Sequence, residues 1–75
     1  MKVFNYKVII EECEEGGFYA ECPAFPGCHV EGETYEETLL EIKEAVKNFI
    51  EDYKSRGEEV PSDHFAVTSV QITYD

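Results

Sequence analysis

Two cysteines and a histidine lie close together in the chain and are of types that bind metals or act as nucleophiles: Cys22, Cys28 and His29. Their spacing differs from the short Cys-x-x-Cys spacing of structural zinc sites. A fourth ligand would have to come from Cys13 or His64, which are both distant in sequence. The pattern therefore favours packed thiols and a surface histidine over a metal site.

A cysteine nucleophile would need a base beside it. His29 is adjacent to Cys28, but neighbouring residues of a strand point to opposite faces of a sheet. We therefore expect no catalytic residue, no metal and no cofactor. The three cysteines are an odd number, and the chain starts without the apolar stretch of a signal peptide, so a reducing cytoplasm is the expected location.

Acidic residues dominate the composition, with 17 Asp and Glu against 6 Lys and Arg and a formal net charge of -11. A two-metal nuclease would need carboxylates that converge from different elements. The interior of the first predicted strand carries Asn5 and Lys7 where such a carboxylate would be sought. The charge disfavours direct binding of nucleic acid or of an anionic membrane. It suits a basic protein partner, or serves solubility alone.

The chemistry-bearing residues lie in a chain of 75 residues, which has room for one domain (1–75). Two-residue alternation predicts a first strand over Lys2–Glu11 and a second over Phe18–Cys22. A charged turn with two glycines joins them, so the pair is a hairpin. A corner with Pro23, Pro26 and Gly27 follows, because each proline removes a backbone donor and glycine permits a positive φ.

A short third strand is predicted over Cys28–Gly32 and a long helix over about Tyr35–Arg56. Thr34 and Glu37 form a capping-box pattern at the start of the helix. An apolar stripe at three- and four-residue steps indicates which side of the helix is buried. Its members are Tyr35, Leu39, Ile42, Val46, Phe49, Ile50 and Tyr53.

Alternation returns over Phe65–Tyr74 and predicts a last strand, which can pair parallel to the first through a right-handed crossover. The predicted order is β-β-β-α-β, an α+β fold with a mixed sheet covered on one face by one long helix. The other sheet face retains apolar residues such as Val3 and Ile9, and the core is small. We therefore expect a homodimer or higher oligomer.

Acidic and aromatic residues on the hairpin and its neighbouring strands are the candidate partner surface, because tyrosine and charge complementarity are typical of protein interfaces. A solvated sheet face is the alternative. The candidate residues are Glu11, Glu12, Glu14, Glu15, Tyr19, Glu21 and Glu31.

Three stretches together resemble the HicB-like antitoxin family of UPF0150 type: an acidic turn followed by Gly-Gly-aromatic, a Cys-Pro-x-x-Pro-Gly-Cys corner, and a Gly-Glu-Thr-x-x-Glu-Thr helix start. The residues that carry the resemblance are 6–11, 15–28 and 32–38, within a match over about 3–61. The resemblance implies a partial RNase H-like fold without nuclease carboxylates. It also implies an antitoxin that covers the RNA-binding or active surface of a small, basic, mRNA-cleaving HicA-type toxin.

Many members of that family carry a further DNA-binding segment after this domain, whereas this chain stops at Asp75. The expectation is a stand-alone form without operator binding. Two alternatives remain open. One is a stand-alone oligomeric domain with an unknown partner, and the other is a residual RNase H-like nuclease that would depend on Glu11 or Glu21.

Overall fold

Three short strands and one helix follow one another in the computed structural model, which describes residues 2–75. They are β1 (Ile9–Glu12), β2 (Phe18–Glu21), β3 (His29–Gly32) and α1 (Tyr35–Ser55). The strands form one antiparallel sheet in the order β1-β2-β3. The expected α+β class, with three strands followed by one helix, is confirmed.

The first strand is shorter than the alternation predicts. Only Ile9–Glu12 pairs with β2, and residues 2–8 have no strand assignment. The register explains this, because Ile9 pairs with Glu21, the last residue of β2. Beyond Glu21 the chain enters the proline corner, so β2 offers no further backbone to the residues that precede Ile9. The alternation itself persists, since Tyr6, Val8 and Ile10 pack against the core.

Backbone hydrogen bonds close the proline corner, and this corner places Phe25 at the centre of the core. Cys22 N–H donates to Cys28 O at 3.0 Å, and Cys28 N–H donates to Phe25 O at 3.0 Å. Gly27 has φ +85° in this turn. Phe25 is 1% exposed. Its ring lies 4.8 to 5.9 Å from three aromatic rings, those of Tyr6, Phe49 and Tyr53.

Helix α1 starts at an N-terminal cap, and its first turn lies in close contact with the end of β3. The Thr34 hydroxyl accepts from the Glu37 N–H at 3.1 Å. Thr38 is completely buried and its hydroxyl donates to Thr34 O at 2.8 Å. A Cβ on Gly32 would collide with Thr38 Oγ1. Glycine at position 32 therefore lets the first turn of α1 approach the end of β3.

The predicted apolar stripe is buried only in its later part. Ile42 is 1% exposed, and Val46, Phe49, Ile50 and Tyr53 pack against the core. Tyr35 and Leu39 remain about half exposed, at 49% and 44%. The residue that takes the inner position in the first turns is Thr38, which hydrophobic periodicity does not select.

The last predicted strand is not part of the sheet. No strand is assigned after α1 within residues 2–75, so the sheet is antiparallel rather than mixed. The chain returns to the residues that precede β1, where Pro61 and Asp63 meet Tyr6 and Lys7. Residues 65–74 then continue exposed. We call these residues the 65–74 segment. Alternation of apolar and polar side chains suits a segment to a sheet. A strand forms only where another backbone supplies its hydrogen bonds.

Candidate protein-binding face

The sheet face that points away from α1 is the candidate site, and we call it the outer face. Strand side chains alternate between faces, and Ile10, Ala20 and Val30 are on the core side. The residues between them therefore project outward. The outer face consists of Ile9, Glu11, Tyr19, Glu21, His29 and Glu31.

The strand register arranges these side chains in two rows. In one row Tyr19 lies between Glu11 on β1 and Glu31 on β3. In the other, Glu21 lies between Ile9 and His29. Because neighbouring strands are about 4.8 Å apart, the two glutamates that flank Tyr19 are separated by about 10 Å. Three carboxylates thus surround one phenol ring, and none of the three strands contains a Lys or Arg.

The Tyr19 ring stacks on the His29 ring, and its phenol lies close to three carboxylates. The two ring centroids are 5.7 Å apart, with an interplanar angle of 29°. Partial burial and the carboxylates of Glu21, Glu11 and Glu31 raise the pKa of the Tyr19 phenol. The hydroxyl therefore stays protonated and can donate a hydrogen bond, while the ring offers an apolar surface to a partner.

The structure separates the seven predicted partner residues into groups. Glu11, Tyr19, Glu21 and Glu31 share the outer face. Glu14 and Glu15 lie at the exposed hairpin turn beside it. Glu12 pairs with Phe18 and, by alternation, belongs to the core side of β1, although its side chain is exposed at the sheet end. The sequence placed Ile9 on this face as an apolar residue but not among the partner residues, and it did not place His29 there, although the same alternation does so.

The cysteines lie apart from the outer face and do not form a reactive pair with His29. Cys22 and Cys28 are 1% and 2% exposed, whereas His29 is exposed on the opposite side of the sheet. Burial raises the pKa of the Cys22 thiol and of the Cys28 thiol. Both sulfurs are therefore held as neutral thiols, the form that packs in a core and reacts poorly.

Neither a metal cluster nor a membrane span is found in the part of the chain that the structure describes. Within residues 2–75 no three His, Cys, Asp or Glu side chains are placed to hold a metal ion. Over the same residues, α1 is too polar to cross a bilayer. The chemistry available at the outer face is recognition through carboxylates, one phenol and one imidazole.

Comparison with known proteins gives consistent matches. Residues 6–74 match a family model described as a HicB-like antitoxin of a bacterial toxin-antitoxin system. The chain is 35% identical over 71 residues to a UPF0150 protein of Synechocystis, covering 95% of this chain and 90% of that protein. It is 42% identical over 60 residues to a UPF0150 protein of Thermoplasma acidophilum, covering 80% and 87%.

A further match is to a protein named Antitoxin HicB 1 from Photorhabdus laumondii, with 33% identity over 61 residues. That alignment covers 81% of this chain but 39% of the longer protein. No solved structure matches the chain significantly.

Proposed function

The chain belongs to the HicB-like antitoxin family, and from this premise we propose that it neutralises a small, basic, mRNA-cleaving toxin of HicA type. In this proposal the outer face covers the RNA-binding or active surface of the toxin. A surface that binds RNA is rich in Lys and Arg. An acidic protein surface can therefore compete with RNA for the same cations.

The observation that carries the proposal is the arrangement of Glu11, Glu21 and Glu31 around Tyr19. The three carboxylates project from one hydrogen-bonded sheet, so the strand register sets their spacing before a partner arrives. Opposite potentials speed encounter, and a tyrosine at the centre supplies contact area at low entropic cost. Arginine or lysine side chains of a toxin would relieve the mutual repulsion of the carboxylates.

We propose that the protein itself performs no reaction. The neutral thiols of Cys22 and Cys28 support this, because a cysteine nucleophile acts as a thiolate. The outer-face glutamates also support it, because no group of three His, Cys, Asp or Glu within residues 2–75 is placed to hold the metal ions of a nuclease. A residual nuclease has no observation in its favour.

The test is co-expression with a small basic toxin of the HicA family, followed by measurement of growth and of complex formation. We expect the chain to rescue growth and to co-purify with the toxin. The variant Glu11→Lys with Glu31→Lys should weaken toxin binding on the order of 100-fold, because steering and complementarity are both reversed.

The matched control is Glu41→Lys with Glu59→Lys, which makes the same change of charge at exposed positions away from the outer face. It should bind nearly as well as the original chain. Failure of the original chain to rescue growth and to form a complex would refute the antitoxin function. Equal weakening by both double variants would show that net charge, rather than the outer face, determines binding.

We also propose that the protein self-associates as a homodimer or higher oligomer. The apolar side chains exposed on residues 65–74 support this, among them Val70, Ile72 and Tyr74 at 77%, 75% and 91% exposure. The same observation favours the second candidate function, an oligomeric binding domain whose partner is not a toxin. A short basic reading frame next to the coding sequence would favour the antitoxin over this alternative.

A further inference from the structure

A groove on the side of α1 next to residues 4–8 is unfilled, and we propose that it binds the 65–74 segment of a second copy of the chain. Two copies would exchange these segments reciprocally and form a dimer. The inference rests on the proposed self-association and names the surfaces that produce it.

The groove has an apolar floor and a measurable size. Its volume is about 900 Å³. Phe4, Tyr6 and Val8 line one wall, and α1 lines the other with Leu39, Leu40, Val46 and Ile50 among its residues. Leu40 is 65% exposed and Phe4 is 37% exposed. These apolar side chains line a groove that the chain leaves open to solvent.

The position of α1 explains why the groove exists. The first turn of the helix is drawn to β3 by the Thr38 contact at Gly32. Helix α1 accordingly contacts β3 most extensively and β1 least. The gap opens on the β1 side, where a fourth strand would have covered the helix.

The 65–74 segment has the complementary properties. Val70, Ile72 and Tyr74 alternate on one side of an extended chain, and Phe65 and Val67 are also exposed. An extended segment of ten residues spans about 30 Å. The groove follows α1 from Leu39 to Lys54, which is a length of about 22 Å. The segment is therefore long enough to fill the groove from end to end.

Surface area and shape show that the single chain exposes more than a compact protein of its size. The accessible surface is 6237 Å², whereas a compact monomer of this mass exposes about 4,700 Å². The radius of gyration is 14.8 Å, against about 11 Å for a compact chain of this length. The excess of about 1,500 Å² per chain amounts to about 3,000 Å² for two chains, which is in the range that obligate homodimer interfaces bury.

Charge distinguishes this occupant from a basic protein. Residues 65–74 contain no Asp, Glu, Lys or Arg, although the chain as a whole carries -11. The groove is lined by Lys43, Lys47 and Lys54 with Glu44 and Glu51, a formal charge of +1. Half of the 6 cationic residues of the chain therefore surround the groove. A basic partner would find no charge complementarity there, whereas an uncharged apolar segment needs none.

A second copy fits the groove because the contacts before the segment fix where it leaves the body. The Lys7 ammonium donates to the Asp63 carboxylate at 2.7 Å, and the Tyr6 hydroxyl donates to Pro61 O at 2.5 Å. The side-chain hydrogen bond from Lys7 holds the pKa of the Asp63 carboxyl below its ordinary value. These contacts hold the chain against the residues that precede β1. The segment then projects from a molecule that measures 54 × 28 × 22 Å, and the groove of another chain can receive it.

The experiment measures the mass of the free protein by sedimentation at about 1 and about 50 µM, a range that covers weak and strong dimers. We expect the original chain to be dimeric. Ile72→Asp and, separately, Leu40→Asp should raise the dissociation constant of the dimer about 100-fold or more, because each places a charge in the contact. Both positions are exposed in the single chain, so both variants should keep the helical circular-dichroism spectrum.

The matched controls add the same charge next to the contact. Gln71→Asp lies on the opposite side of the 65–74 segment, and Asn48→Asp is exposed on α1 outside the groove. Both should remain dimeric. A monomeric original chain would overturn both the exchange and the proposed self-association, and a dimeric Ile72→Asp variant would overturn the exchange alone.

Mixing the two disrupted variants tests exchange directly. The Leu40→Asp chain retains an intact segment, and the Ile72→Asp chain retains an intact groove. Reciprocal exchange predicts a mixed dimer with one intact contact when the two are combined, although each variant alone is monomeric. Absence of that mixed dimer would overturn the proposal, because segments that pair with each other, or that fold into their own groove, cannot be rescued in this way.

Discussion

The outer face and the 65–74 segment are both built on two-residue alternation, but the chain completes only one of them. On the outer face every strand is paired with a neighbour, so the register fixes Glu11, Tyr19 and Glu31 in one row. In the 65–74 segment the same type of pattern has no partner backbone, and Ile72 is 75% exposed. Two-residue alternation therefore indicates that a segment can form a strand. The topology of the chain determines whether a neighbouring strand is available to pair with it.

The two regions also differ in the kind of contact that they offer. The outer face is acidic and borne by a hydrogen-bonded sheet, which suits recognition of a charged protein whose approach is steered. The segment contains no charged residue, and the groove near Leu40 has an apolar floor with a formal charge of +1, which suits an association driven by burial. An acidic protein can therefore bind a cationic partner and a copy of itself on separate surfaces.

The largest expected effect distinguishes the body of the protein from the segment. Phe25→Ala should lower the free energy of unfolding by about 3 to 5 kcal/mol, because it removes the ring that Tyr6, Phe49 and Tyr53 surround. Ile72→Ala should lower stability only at protein concentrations at which dimers form. Urea unfolding at two protein concentrations measures both.

The expected result is a loss for Phe25→Ala that is independent of concentration and a loss for Ile72→Ala that grows with concentration. A loss for Ile72→Ala of the same size in dilute protein would mean that the segment packs within its own chain. That outcome would remove the distinction between the two regions.

Local patterns in the sequence were sufficient to predict the hairpin, the helix and four of the six residues of the outer face. Each depends on neighbours in the chain: the glycine turn before Phe18, the Thr34 cap and the alternation from Ile9 to Glu12. The cap in particular needs only residues three positions apart, so it can be recognised without knowledge of the fold.

Contacts between distant residues were not predictable in the same way. Phe25 lies between two prolines, where no periodicity indicates burial, yet it is the centre of the core. Thr38 is polar and is buried because Gly32 lies against it. The fate of the 65–74 segment depends on whether an edge of the sheet is accessible to it, which the sequence of the segment does not encode.

A second prediction concerns the contact that tilts α1 toward β3 and opens the groove. Gly32→Ala should cost about 1 to 3 kcal/mol of folding stability, because the new methyl group overlaps the Thr38 hydroxyl. Gly32 does not have a positive φ, so the cost arises from packing rather than from backbone strain.

Thr38→Ala supplies the control in a double-mutant cycle measured by chemical denaturation. It removes the hydroxyl that the methyl group would strike, so the double variant should lose less stability than the sum of the two single variants. Additive losses would show that the two residues do not restrict each other. The position of the groove would then need another explanation.

A third prediction tests whether the outer face has a role in folding. Glu11→Gln with Glu31→Gln should change the free energy of unfolding by no more than about 0.5 kcal/mol, because both side chains are exposed. The same variant should bind a cationic partner more weakly and with less dependence on salt. A loss of stability above about 1 kcal/mol would indicate a structural role for this face.

The smallest effect concerns the Tyr19 phenol, whose pKa partial burial and the carboxylates of Glu21, Glu11 and Glu31 raise above its ordinary value of 10.0. Because the folded state holds this proton more tightly, the associated stability is present below pH 10 and is lost as the pH rises through the raised pKa. Glu21→Gln should lower the Tyr19 pKa, since it removes a negative charge that opposes tyrosinate. The exposed helix variant Glu41→Gln should leave it unchanged. Nuclear magnetic resonance titration of the tyrosine ring signals measures both variants.

A bound cationic partner should also lower the Tyr19 pKa, because positive charge favours tyrosinate, whereas dimerisation through the 65–74 segment should not. If dilution to monomers moved the Tyr19 pKa while a cationic partner did not, the outer face and the segment would have exchanged the roles assigned to them here.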